Sequence, residues 1–78
     1  MNAIILYGIF ETNRKHNFSD LNIGLAQYRV DHPEITDDEA KEIMAFIGHH
    51  YDELVKGYAE GPVAFSDAVA ACIEADKE

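Results

Sequence analysis

The chain is short of cations. Its 78 residues hold six Lys and Arg against fifteen Asp and Glu, a formal charge of −9 at pH 7 with His neutral. That shortage argues against direct binding of nucleic acid or of an anionic membrane, both of which are held by clusters of Lys and Arg. Cysteine occurs once, at Cys72, so no internal disulfide can form. The usual staple of a small secreted domain is therefore missing, and a reducing, cytoplasmic setting is expected. The longest apolar block, Ala3–Phe10, has eight residues, against the roughly 20 that a membrane-spanning helix needs. It also lacks the basic flank and small-residue cleavage site of a signal peptide. Neither a membrane span nor export is expected.

What remains is a single domain, residues 1–78, small enough that folding buries only roughly 60% of the surface of the unfolded chain. A hydrophobic content of 47% is too high for disorder, which requires low hydrophobicity together with high charge. The charge is unevenly placed. Glu11 and Asp20 against Arg14, Lys15 and Arg29 leave residues 1–30 at +1, so residues 31–78 carry −10.

The hydrophobic pattern is helical. Thr36 with Glu39 three residues later has the form of a capping box, and after it Ile43, Met44, Ile47, Tyr51, Leu54, Val55 and Tyr58 recur at the three-and-four spacing of one helical face. This apolar face, sustained for about five turns from Ala40, predicts a helix over Asp37–Tyr58, the spine of the fold, stopped by Gly57 and Gly61-Pro62. Ser19 as N-cap and the stripe Phe18, Leu21, Leu25 and Tyr28 predict a helix ending at His32-Pro33, because the residue before proline is pushed out of helical geometry. Ser66 opens a further pattern in which Phe65, Val69, Cys72 and Ile73 share a side, fraying toward Asp76-Lys77-Glu78. Residues 3–13 are read as a helix, with a strand that pairs with a second copy as the alternative, since a lone strand would leave its backbone groups unpaired. The expected fold is all-α: a compact bundle of three or four helices. Gly24 and Gly48, inside the expected helices, suit close helix packing.

Catalytic motifs are absent. Ser19 and Ser66 read as caps, Cys72 as an inert core thiol with no cation to activate it, and the five glycines never form a phosphate loop. Three cations, Arg14, Lys15 and Arg29, are a weak nucleic-acid footprint and are better read as a partner contact or as sources of internal ion pairs. Phe46 stands beside the main stripe, either widening the buried face or serving as an exposed anchor. His49-His50 followed by Glu53 is the nearest approach to a metal set: His49 and Glu53, four apart, share a helical face. Two ligands do not make a site, the H-E-x-x-H spacing is missing, and a surface histidine pair is the favoured reading, so no metal or cofactor is expected.

The excess of carboxylates carries the functional expectation. Glu34, Asp37, Asp38, Glu39 and Glu42 cluster at one helix start, more than the macrodipole needs. Asp52, Glu53, Glu60, Asp67, Glu74, Asp76 and Glu78 extend the same sign. The expected function is that of a small non-enzymatic interaction protein that docks on a basic surface of a larger nucleic-acid-handling protein and inhibits it. Asp37, Asp38, Glu39, Glu42, Asp52 and Glu53 form the expected contact. In charge and size alone the chain is similar to acidic inhibitors that imitate nucleic acid, including small phage-encoded antagonists of host defence. Two alternatives stand beside this reading. One is a self-associating adaptor, such as a homodimer joined through Ala3–Phe10. The other is a small metal protein built on His49, His50 and Glu53.

Overall fold

The computed structural model describes residues 2–77, so Glu78, the last of the acidic series, lies outside the described residues. Five helices follow one another: α1 (Ala3–Thr12), α2 (Phe18–Asp31), α3 (Asp37–His49), α4 (Tyr51–Glu60) and α5 (Pro62–Asp76), with no strand among the described residues. The all-helical expectation holds, with one helix more than expected. The strand alternative for residues 3–13 is corrected: Asn2 caps a helix there, its side-chain oxygen accepting from the Ile4 amide at 2.8 Å.

The extra helix comes from a break in the expected spine. At His50 the backbone turns to φ −119° and ψ 29°, so this residue ends α3 and begins α4. The apolar positions on both sides keep helical spacing, which is why the pattern read as continuous. Gly57 also differs from expectation. It lies inside α4 and is buried against α5, and the stop is Gly61 alone, whose φ of +124° is the one positive value among the described residues. Glycine takes up that conformation without the clash a Cβ would bring. Pro62 then starts α5, its fixed φ suiting the first helical turn.

Two other helix starts move upstream. α2 is capped by Asn17, whose side chain accepts from the Asp20 amide at 2.9 Å, and not by Ser19. Ser66 is interior to α5, which begins one turn earlier than expected. Asn caps as well as Ser, and the Pro62 start has no side-chain cap at all, so a search for hydroxyl caps misses both. The Thr36–Glu39 capping box is present in both directions: Glu39 N–H donates to Thr36 Oγ1 at 3.1 Å, and Thr36 N–H donates to Glu39 Oε1 at 3.2 Å. α2 ends at His32, as the following proline requires.

The interior is built around α1. Leu6, Ile9 and Phe10, spaced as one helical face, are fully buried with Leu21, Ile47, Leu54, Phe65 and Val69 around them. The apolar N-terminal block is therefore used within the chain, leaving Ile4 outside at 77% exposure. Phe10 meets Phe65 at 5.0 Å and Tyr58 at 5.6 Å between ring centroids, joining α1 to α5 and α4. Phe46 is buried, so it widens the core and is no exposed anchor. No helix of the described residues is long and apolar enough to cross a membrane.

Candidate functional site

The six carboxylates expected to form the contact are all exposed, and Asp37, Glu39 with Glu42, and Glu53 border three different hollows. Asp37 pairs with Arg29 at 2.9 Å, while the same guanidinium donates to the Ile35 carbonyl. Glu39 is partly spent in the capping box and, with Glu42, edges a hollow beside Asn2 and Ile5. Glu53 points into a different surface, the groove between α4 and α5. Asp38, Glu42, Asp52 and Glu53 form no ion pair among the described residues.

A groove runs between α4 and α5. It is an open channel of about 540 Å³, lined by Gly57, Ala64, Ala68, Ala71, Cys72 and Ala75, with His50, Glu53, Lys56, Glu60 and Asp67 completing its lining. Small residues make it. Gly57 and Ala68 let the two helices approach, and the alanines beyond them leave the channel unfilled. The sign of its field is legible in Cys72, whose thiol pKa is pushed up by burial first and then by the charges of Glu53 and Asp76. A thiol held in its neutral form is a poor nucleophile, and the groove offers an apolar floor and an anionic border, with His50 at one end of its lining. Glu60 and Asp67 belong to this site though the sequence spacing gave no reason to join them to Glu53. They meet only because Gly61 folds α5 back along α4.

Arg14 and Arg29 are sources of internal ion pairs, whereas Lys15, Lys41 and Lys56 form none among the described residues. Arg14 binds Glu11 at 2.7 Å and Arg29 binds Asp37, leaving little for an external anion. Hydrogen bonds from Tyr7 and Tyr58, then from Arg14, hold the Glu11 carboxyl below its ordinary range. The surface histidine pair is corrected, since His50 is buried, and the alternative set of His49, His50 and Glu53 is not brought together. His49 is exposed and His50 is buried, and the carboxylate near them is Asp76 at the end of α5, whose Oδ1 lies 2.9 Å from His50 Nε2. Glu53 is not in that group.

Compared with known proteins, the chain matches no protein-family model, no curated protein and no solved structure.

Proposed function

We propose that this protein is a non-enzymatic binding module that docks its acidic surface on a basic region of a larger nucleic-acid-handling partner and so blocks it. One observation carries the reading. Every described carboxylate from Asp31 onward is exposed, and Lys or Arg neutralises only Asp37 and Glu74 among them. A field of one sign left so open steers a cationic partner toward the molecule and repels nucleic acid and anionic membranes. The α4–α5 groove supplies what charge alone cannot: an apolar channel edged by Glu53, Glu60 and Asp67, suited to a helical segment with one apolar and one Lys/Arg-rich face. Lys and Arg of this kind are what proteins use to hold phosphate backbones, which is why a nucleic-acid-handling partner is proposed.

The test is capture from host lysate at low and then moderate salt, with the wild-type chain beside two charge-reversed forms. Reversing Glu53, Glu60 and Asp67 to Lys should abolish retention of the partner, and reversing Asp38 and Glu42 should weaken it and flatten its salt dependence. A partner that binds both variants as it binds the wild type, with the same salt dependence, rules the reading out.

Self-association is the second reading, favoured by Ile4, which stands exposed at the edge of an apolar hollow formed with Ala3, Tyr7, Pro62 and Phe65. Sedimentation decides it: a strict monomer at high concentration removes this option.

A further inference from the structure

His50 is the one buried polar or charged side chain among the described residues, 8% exposed in an otherwise apolar core. Its position follows from the break in the spine. Within a continuous helix two successive side chains diverge by about 100°, too far apart to share a ligand. At His50 the backbone leaves helical geometry, and the rings of His49 and His50 come to 4.9 Å between centroids, edge to face. α5 ends opposite them, and its last residue, Asp76, presents a carboxylate to both. One donor atom each from His49, His50 and Asp76 lie within 4.8 Å of one another.

We propose that His49, His50 and Asp76 bind a divalent late first-row cation, zinc foremost. Two imidazole nitrogens and a carboxylate oxygen are the donor chemistry of zinc and its neighbours, whereas magnesium and calcium take oxygen alone. At bond lengths of roughly 2.0–2.2 Å, the donors of a tetrahedral zinc stand about 3.3–3.5 Å apart. His50 Nε2 and Asp76 Oδ1 are already closer than that, at 2.9 Å, and would open slightly to admit the ion. The remaining closure falls to His49, which is on the surface, while Asp76 already stands against His50. Glu42 edges the same hollow as His49 and Asp76, so the fourth position is open to this carboxylate or to water. The ion would fasten the α3–α4 corner to the end of α5, a staple for a domain too small to rely on its core and without a disulfide. Nothing in this site depends on the docking role proposed above.

The experiment uses the full chain, untagged and stripped with chelator, titrated with zinc chloride by calorimetry and followed by thermal unfolding. Binding should saturate at one ion per chain and raise the unfolding midpoint by roughly 10 °C or more when free zinc exceeds its dissociation constant about 100-fold. Cobalt(II) in the same site should give the intense visible absorption of four-coordinate geometry. H49Q and D76N alter only surface side chains, so both should fold, and each should weaken zinc by at least the roughly 10–100-fold that loss of a mere outer-shell partner costs. H32Q, which removes a histidine paired with Glu34 elsewhere on the surface, should bind zinc as the wild type does. Absence of a saturable one-to-one site, or wild-type affinity in H49Q and D76N, would overturn the assignment and leave His50–Asp76 as a structural hydrogen bond.

Discussion

Gly57 of α4 lies so close to Ala68 of α5 that a Cβ at position 57 would stand 2.9 Å from the Ala68 Cβ and 3.3 Å from both the Ala64 carbonyl and the Phe65 Cα. These neighbours are backbone or the first side-chain atom, so they cannot rotate away. Two effects of opposite sign therefore compete in G57A. Alanine gains about 1 kcal/mol of helix propensity over glycine, while overpacking a tight interface costs about 1–3 kcal/mol. With rigid α5 atoms at all three nearest contacts the steric cost wins. G57A should lower the urea midpoint, and G57V should lower it further; a stabilised G57A would mean that α4 and α5 can part at little cost.

Acid stability should depend on Glu11. Its carboxyl is held below the ordinary value of 4.5 by hydrogen bonds from Tyr7 and Tyr58 and then by Arg14. A carboxyl with a lowered folded pKa contributes stability at pH above its unfolded value, and that contribution is lost as pH falls from about 4.5 through the lower folded value. Tyr7 and Tyr58 act in the other direction: Glu11 and burial raise both phenols above 10.0. Their contribution is present below pH 10 and is lost as pH rises through the raised folded values. In E11Q the thermal midpoint plotted against pH should be flatter than wild type at both ends. Parallel curves would show that the three groups are not coupled to folding.

The Thr36 capping box should be worth about 0.5–2 kcal/mol, the usual cost of replacing a hydroxyl cap with alanine. T36A should lower the thermal midpoint and speed amide exchange in the first turn of α3, while T36S, which keeps the oxygen, should stay near wild type. E39Q preserves the reciprocal bond and should cost less than E39A.

Cys72 should be slow to react with disulfide reagents in the native chain and fast after unfolding in urea, because burial keeps its thiol protonated and covered. Glu53 contributes to the same upward shift, so E53Q should speed the native reaction modestly. An unchanged rate in E53Q would show that the field in the groove is screened out at the sulfur.

Much of this architecture is written in local signals. Thr36 with Glu39, His32 before Pro33, and the stripes through Leu21 and Leu25 or through Val69 and Cys72 each depend on residues within a turn or two, and each appears where the spacing puts it. The break at His50 is not of that kind. Ile47, Tyr51 and Leu54 continue the apolar period across it, and what holds the break is distant: Tyr51 donates its hydroxyl to the His16 carbonyl, and His50 reaches Asp76 at 26 residues' separation. The candidate sites fail to show in the sequence for the same reason. Glu53, Glu60 and Asp67 line one groove, and Asp76 meets the two histidines, only after Gly61 has reversed the chain. Periodicity carries no information about that reversal.

Had α3 and α4 run on as a single rod through position 50, it would measure about 36 Å at 1.5 Å per residue. The whole body spans only 29 Å along its greatest dimension. One end of such a rod would overhang into water, taking with it Leu54 or Ile43, both of which now lie inside. The elbow at His50 thus reconciles a long amphipathic stretch with a small globule, and it leaves an imidazole at the vertex.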